Sequence, residues 1–173
     1  MSVDKATVSA LRAFPEQLEN LLSAVPQEYL DWTPASWEGI PSESFSPVGQ
    51  LCHIRDIEVE GYHVRLRRLL EELNPTLASL DSYSLAKERS YSDACPSEIL
   101  AAFRKARAET IEMIQSLDEG ELNRRGVFEG YGPVTVKGLI HFLCSHDQQH
   151  LAGMHWLLGK IESERALALP AGG

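Results

Sequence analysis

The stretch TVKGLIHFLCSHDQQHLAGMHWLLG, residues 135–159, is a long helical pattern that carries four of the chain's six histidines. Apolar residues recur in it every three or four positions, as they do on the buried face of an amphipathic helix. Thr135 stands where a helix N-cap is expected, and Gly159 marks the expected end of the helix. The pattern predicts one long helix that packs one face against a core.

Two of these histidines lie on the buried face of the predicted helix. Helix angles are counted from His146 at about 100° per residue. His150 then falls at about 40°, and the main apolar side chains fall within about 80° of His146. His141 and His155 fall at about 220° and 180° and therefore project away from the core. Because residues four apart lie roughly 5–6 Å apart at Cβ, His146 and His150 can both reach one metal ion.

Three further helices are predicted from capping residues and apolar spacing. The first covers residues 6–24 and contains Pro15, where a kink or a restart is expected. The second begins at an N-cap, Ser46, which is followed by a proline, and it runs to about residue 73. The third begins behind a cap at Ser97 and carries apolar residues in steps of four and three, as helices in bundles do.

The segments between these helices show no strand-like alternation. Residues 26–45, 76–96 and 118–134 are predicted as loops, with glycines marking turns in the last of them. The sequence therefore predicts an all-α protein, an antiparallel four-helix bundle. A single domain is expected over residues 1–165, with a flexible tail over residues 166–173.

The second helix offers a third imidazole. His53 lies on a mixed stripe of this helix that can face the bundle interior. Three imidazoles on two facing helices, with a fourth position open to water or substrate, are a common arrangement in catalytic zinc-like sites. His53, His146 and His150 are therefore candidate metal ligands. The alternative is three core histidines that are hydrogen-bonded to carbonyl groups.

Three carboxylates are candidates to support such a site. Asp56 and Asp147 are positioned to orient imidazoles through hydrogen bonds, as partners of metal-bound histidines often do. Glu60 lies two turns after His53 and is a candidate to tune a ligand or to move a proton. Solvated helix carboxylates are an equally good interpretation of the two aspartates. His63 falls outside the stripe and is predicted to be exposed.

Composition argues against several classes of partner. The 173-residue chain has 25 acidic and 16 basic residues and a net charge of −9. A nucleic-acid-binding protein usually presents a basic stripe, whereas Arg65, Arg67 and Arg68 are flanked by glutamates. No apolar run approaches the ~20 residues needed to span a bilayer, and the first residues do not resemble a secretory signal. The three widely spaced cysteines then indicate reduced thiols in a cytoplasmic protein.

Two stretches that carry histidine motifs together resemble a known family. FSPVGQLCHIRDIEVEGYHVRLRRLL, residues 45–70, contains an HxxD motif, and GPVTVKGLIHFLCSHDQQHLAGM, residues 132–154, contains an HxxxH motif. Placed on the second and the last long helix, these motifs are similar to those of the DinB-like superfamily, which includes the YfiT-like metal-dependent hydrolases. The resemblance covers nearly the whole chain.

The resemblance implies a four-helix bundle with a three-histidine site for one divalent metal ion, often nickel or zinc. The family's ligands map onto His53, His146 and His150. Family members often carry Gln three residues after the last ligand, and this chain has Gly153 there, so the surroundings of the site are expected to differ. Relatives are commonly dimers, and the second helix has apolar residues on two edges; a homodimer is therefore expected.

Two kinds of function remain open. The first is a metal-dependent enzyme for a small-molecule substrate, either a hydrolase or, as in some relatives, a transferase that uses a low-molecular-weight thiol. The second is a non-catalytic dimeric bundle that binds a metal or a small ligand. Nothing in this acidic chain supports contact with nucleic acid or a membrane, and no motif identifies the substrate.

Overall fold

Four long helical runs contain most of residues 2–168, the part of the chain that the computed structural model describes. In chain order, the elements are α1 (Lys5–Ser23), a 3-10 turn (Gln27–Tyr29), α2 (Pro47–Asp56), a π-helical segment (Ile57–Tyr62), α3 (His63–Glu71), β1 (Thr76–Leu77), α4 (Ser82–Glu88), a second 3-10 turn (Tyr91–Asp93), α5 (Pro96–Ser116), α6 (Glu119–Leu122), β2 (Arg125–Phe128), β3 (Gly132–Thr135) and α7 (Val136–Ala168).

The four long runs form the predicted bundle. The elements α2, the π-helical segment and α3 follow one another without a break and make one long second helix. Helix α1 packs against α5 and α7, and α2 packs against the same two helices. The prediction of an all-α four-helix bundle is confirmed. Within residues 2–168, no helix combines the length and apolar character that crossing a membrane requires.

Capping residues start two of the long helices where the sequence predicts. The Ser46 hydroxyl accepts a hydrogen bond from the Gly49 backbone nitrogen at 3.3 Å, and Pro47 occupies the first turn of α2. The Thr135 hydroxyl accepts one from the Gly138 nitrogen at 3.0 Å at the start of α7. These bonds satisfy backbone donors that the first helical turn leaves free.

Three predicted helix features differ from the structure. Helix α5 begins at Pro96, one residue before the predicted cap Ser97, because proline is already set for the first helical position. Helix α1 continues through Pro15 without a restart. Helix α7 passes Gly159 and continues to residue 168, since the next turn places Ile161 in the core. In the predicted tail, residues 166–168 are helical, and residues 169–173 lie outside the described residues.

A small three-stranded sheet contradicts the prediction that the connections are only loops. Strand β1 pairs in parallel with β2, and β2 pairs in an antiparallel arrangement with β3. Strands this short give no alternation of apolar residues long enough to recognise in a sequence. Gly126 is needed in β2, because a Cβ there would lie 2.7 Å from Leu69 and from the Pro75 carbonyl oxygen.

The π-helical segment changes which side chains of the second helix face the core. A π turn holds one residue more than an α turn, so side chains beyond it are rotated by about 100° from their expected directions. His63 is consequently buried, and the prediction that it is exposed is wrong. Its Nε2 donates towards the Ala106 carbonyl oxygen at 3.1 Å and lies 2.8 Å from the Thr110 hydroxyl oxygen.

A polar layer separates the two larger apolar clusters of the core. One cluster includes Leu11, Leu66, Ile111, Leu139 and Phe128. The other includes Phe14, Leu18, Leu51, Phe103 and Met154. Between the two clusters along the long helices lie buried polar side chains, and the central one is Arg107.

Arg107 of α5 bonds to each of the other three bundle helices. Its guanidinium donates two hydrogen bonds to Glu58 of the π-helical segment, at 2.8 and 2.9 Å, and two to Asp147 of α7, at 2.6 and 3.1 Å. It also donates to the Leu11 carbonyl oxygen of α1 at 3.0 Å. Burial opposes its charge, but Asp147 and Glu58 outweigh burial and raise the pKa of Arg107. The cation therefore stays charged inside the bundle.

We expect Arg107→Met to lower the free energy of unfolding by about 3–5 kcal/mol, because it leaves two buried carboxylates without their cation. Urea denaturation followed by circular dichroism measures this loss. Arg104→Met is the matched control: Arg104 lies one turn earlier on α5 and pairs with Glu19 where both side chains are largely exposed. It should cost less than about 1 kcal/mol. Equal losses for the two variants would contradict the role assigned to Arg107.

Candidate metal centre

Four side chains from three parts of the chain meet at one point. They are Glu43 from the loop before α2, His53 from α2, and His146 and His150 from α7, and one ligand atom of each lies within 4.8 Å of the others. His53 and His150 are buried, His146 is half-buried, and the Glu43 side chain is 34% exposed. The three histidines predicted as ligands are thus brought together, and the group opens to solvent past Glu43 and His146.

The spacing of the imidazole nitrogens suits a metal ion. The His146 Nε2 lies 3.2 Å from the His53 Nε2 and 3.1 Å from the His150 Nε2. With metal–nitrogen bonds of about 2.0–2.1 Å, two ligands stand about 2.9 Å apart at a right angle and about 3.3 Å apart at the tetrahedral angle. The observed distances fall between these values.

Gln50 fixes the orientation of His150. Its side-chain nitrogen donates to the carbonyl oxygens of Glu43, at 2.7 Å, and Phe45, at 3.3 Å, so its side-chain oxygen must face His150. That oxygen lies 2.5 Å from the His150 Nδ1, which therefore carries the proton. In the neutral imidazole the Nε2 is then bare and presents its lone pair to the centre.

A metal ion suits the three nitrogens better than shared protons do. When the His150 Nε2 is bare, a proton on the His146 Nε2 can be donated to it. That proton would, however, face any proton carried by the His53 Nε2. Without that proton, the His146 and His150 lone pairs face each other at 3.1 Å. A cation at the centre removes this conflict, because all three nitrogens can then direct lone pairs at it.

Burial keeps the imidazoles in the form that binds a metal. Burial and the neighbouring His150 lower the pKa of His53 to about 4. Burial also lowers the pKa of His146 well below its ordinary value. Burial by itself raises the pKa of Glu43, but its contacts with His150 and His53 outweigh this effect and lower that pKa to about 2. At neutral pH the centre thus offers neutral imidazoles at His53 and His146 and the carboxylate of Glu43.

The three predicted supporting carboxylates bind other groups in the structure. Asp56 accepts from the Tyr91 hydroxyl at 2.6 Å and pairs with Arg55 and Arg89. Glu60 pairs with the same Arg89 at 2.6 Å. Asp147 directs both oxygens to Arg107, and burial raises its pKa against the effect of that cation. Their oxygens therefore hold arginines, whereas the imidazole of His150 donates its hydrogen bond to the Gln50 side-chain oxygen.

The loop before α2 supplies the carboxylate that the sequence analysis missed. Ser42 packs directly on the backbone of Gly153 in α7, and its hydroxyl donates to the Gln50 side-chain oxygen at 3.3 Å. Earlier in the loop, Trp37 stacks on Trp156 of α7, with ring centroids 6.1 Å apart. The small residue at position 153, noted as a departure from the family pattern, leaves the space that the loop occupies. Glu43 is held over the histidines as a result.

The two outward histidines of α7 lie where the helical angles place them. His141 and His155 are exposed. The His141 ring contacts Thr7 of α1 rather than a side chain of the metal centre, with 3.3 Å between its Nδ1 and the threonine hydroxyl oxygen. Both are therefore suitable controls for experiments on the centre.

The comparisons with known proteins agree with this fold. The profile of the DinB superfamily matches residues 10–154, and the chain belongs to that superfamily. A four-helix bundle in which one loop adds a carboxylate to three helix-borne histidines is therefore the form that the family takes in this chain.

One solved structure shares the architecture over most of both chains. YfiT from Bacillus subtilis is similar to this chain with a TM-score of 0.79 and 18% identity, over 93% of this chain and 91% of YfiT. It is described as "a probable metal-dependent hydrolase with an unusual four-helix bundle topology". At this identity the likeness concerns the fold. No curated protein matches the chain.

We expect Gly153→Ala to weaken binding of a divalent metal by roughly tenfold, in the range seen when a group behind a ligand is changed. The added methyl would overlap the Ser42 hydroxyl and lie 3.0 Å from the Ser42 Cβ, so the loop that carries Glu43 must shift. Titration calorimetry with zinc on protein stripped by a chelator measures the change in affinity.

Gly159→Ala is the control on the same helix, because nothing lies within 4 Å of a Cβ at that position. It should leave zinc affinity unchanged and stabilise α7 slightly, since alanine favours a helix more than glycine does. The double change Ser42→Gly with Gly153→Ala should recover part of the lost affinity. Equal zinc affinities for wild type and Gly153→Ala would show that the loop does not depend on this contact.

Proposed function

We propose that the chain is a metal-dependent hydrolase with one divalent ion, nickel or zinc, held by His53, His146 and His150. The supporting observation is the convergence of three imidazoles, in which the His146 Nε2 lies 3.2 and 3.1 Å from the Nε2 atoms of the other two, a spacing that suits ligands of one metal ion. Imidazole ligands suit nickel and zinc better than magnesium or calcium, although affinity order does not separate the first two.

Glu43 favours hydrolysis among the possible reactions. A bound divalent ion would supply Lewis-acid activation of water or of a substrate carbonyl. The Glu43 oxygens lie 3.5 Å from the His53 Nε2 and 3.2 Å from the His150 Nε2, on the solvent side of the centre. An ionised carboxylate in that position can orient a water molecule and accept its proton at an oxygen.

Two alternatives are separable by experiment. A transferase that uses a low-molecular-weight thiol needs a thiol at the centre but no carboxylate that takes a proton from water. A non-catalytic bundle would bind the metal or a small ligand and show no turnover. The Glu43 carboxylate, placed beside the imidazoles by a dedicated loop, favours the hydrolase over both.

Assembly and location are part of the same proposal. We propose a homodimer in the cytoplasm that acts on a small molecule, with no nucleic-acid or membrane partner. The support for the dimer is that relatives are commonly dimers. The support for the lack of a nucleic-acid partner is the acidic composition, with a net charge of −9. Sedimentation velocity at micromolar concentration tests the assembly, and a single species at the 19.2 kDa mass of one chain would exclude the dimer.

The metal test uses protein stripped by a chelator and reloaded with zinc or nickel. Wild type should bind about one ion per chain and melt at a higher temperature when loaded, because the ion binds only the folded state. His53→Ala, His146→Ala and His150→Ala should each lose most of this shift. Acidification should release the ion, since protons compete for ligating imidazoles.

His141→Ala is the matched control, because that exposed histidine lies on the same helix outside the centre. Glu43→Gln separates two roles of the carboxylate. If Glu43 moves a proton, the variant keeps the metal and loses hydrolysis of a panel of ester and amide substrates; if Glu43 is a ligand, metal affinity falls as well. A wild-type protein whose melting temperature is unaffected by either metal would exclude the proposed function.

A further inference from the structure

Arg65 is a buried cation that has no carboxylate partner among the residues that the structure describes. Its side chain is 5% exposed, and no Asp or Glu forms an ion pair with it among residues 2–168. Its Nε and Nη2 both donate to the Ala78 carbonyl oxygen, at 3.0 and 2.9 Å. The remaining nitrogen, Nη1, has no hydrogen bond within the described chain. Buried charges in proteins are normally paired, so Arg65 needs an explanation.

Tyr62 has an unpartnered hydroxyl beside this cation. The residue is 5% exposed, and the Arg65 guanidinium carbon lies 5.5 Å from the centre of its ring. Its hydroxyl forms no hydrogen bond with any group in residues 2–168. In that part of the chain, every fully occluded side-chain nitrogen or oxygen has a partner. The Tyr62 hydroxyl and the Arg65 Nη1 must therefore each reach a space open to solvent.

This pair of polar groups adjoins the metal centre. The Tyr62 ring lies 6.2 Å from the ring of His146, the half-buried ligand on the open side of the centre. A Cβ on Gly61, the residue before Tyr62, would lie 2.7 Å from the Arg65 Nη1, so this glycine gives the cation its space. The π-helical segment ends at Tyr62 and sets these directions.

The surroundings of the pair are aromatic rather than acidic. The Arg65 guanidinium carbon lies 4.5 Å from the Phe128 ring centre, and Phe128 stacks on the exposed Tyr131 at 4.5 Å. Burial lowers the pKa of Arg65, and the groups that oppose this are the phenols of Tyr62 and Tyr131. Cation–π contacts of this kind compensate a buried charge only in part. An anion from solution would complete the pairing.

We propose that Arg65 and Tyr62 bind the carboxylate of an anionic substrate whose reacting group lies at the metal centre. The Arg65 Nη1 donates to one carboxylate oxygen, and the Tyr62 hydroxyl donates to the other. Two donors and one positive charge match a carboxylate better than a phosphate, which has more oxygens and more charge. This inference rests on the proposed hydrolase function, and it narrows the substrate to small molecules that carry a carboxylate.

The test compares two metal-binding probes that differ in one group. The first probe, succinic acid monohydroxamate, carries a carboxylate. The second probe is the same molecule with a neutral primary amide in place of the carboxylate. Titration calorimetry gives the affinity of zinc-loaded wild type for each. We expect the carboxylate probe to bind roughly tenfold tighter or more, as a charge-assisted hydrogen bond pair would provide. Tyr62→Phe should reduce this preference severalfold while keeping the ring, and Arg65→Gln should abolish it.

Two controls keep the result specific. Tyr29→Phe removes a tyrosine hydroxyl from the other apolar cluster and should leave the preference unchanged. Acetohydroxamate, which has no carboxylate, should bind wild type and Tyr62→Phe with equal affinity. Tyr62→Phe changes a single oxygen atom, so the proposal stays testable even if Arg65→Gln does not fold.

A zinc-free arm separates this inference from the proposed function. Succinate should raise the melting temperature of zinc-free wild type but not that of zinc-free Tyr62→Phe. If no hydroxamate binds the zinc-treated protein yet succinate stabilises wild type alone, the anion site stands and the metal centre fails. If both hydroxamates bind equally and succinate has no effect, the metal centre stands and the anion site is overturned.

Discussion

The buried guanidinium of Arg107 is the interaction on which the rest of the structure depends. It links α5, which carries Arg107, to the other three bundle helices through Leu11, Glu58 and Asp147. The hydrophobic effect is non-directional, whereas a bidentate ion pair in a low-dielectric core has one good geometry. Arg107 therefore sets the relative positions of the helices in the layer between the two apolar clusters.

The same layer determines where the histidines stand. Asp147 follows His146 directly in α7, and Glu58 lies in the π-helical segment shortly after His53. When Arg107 binds both carboxylates, it holds α7 and the second helix in the register that brings their imidazole nitrogens to 3.2 Å. An error of one helical turn in either partner would separate these nitrogens by about 5 Å. The ion pairs thus position the candidate ligands without touching them.

The sequence predicts those parts of the site that lie on regular helices. His53, His146 and His150 follow from helical angles, and their convergence needs only two facing helices. Glu43 does not follow, because it lies in an irregular loop whose course depends on a contact between Ser42 and Gly153. The role of Gln50 does not follow either, because the sequence does not show which groups a buried amide on a helix will bond to. His63 was misplaced because a π turn is not visible in apolar spacing.

The buried polar layer indicates that this bundle is built around a functional site. Buried ion pairs seldom stabilise a protein more than apolar side chains of the same volume would, and Arg65 is buried with no acidic partner in residues 2–168. A bundle held together by packing alone would carry leucines at these positions. The departures from regular patterns, namely the π-helical segment, the unpaired cation and the close imidazoles, are concentrated around the second helix and His146. Such departures from regular sequence patterns cluster mainly at functional sites. Here they surround the one group of side chains within residues 2–168 that is suited to a metal.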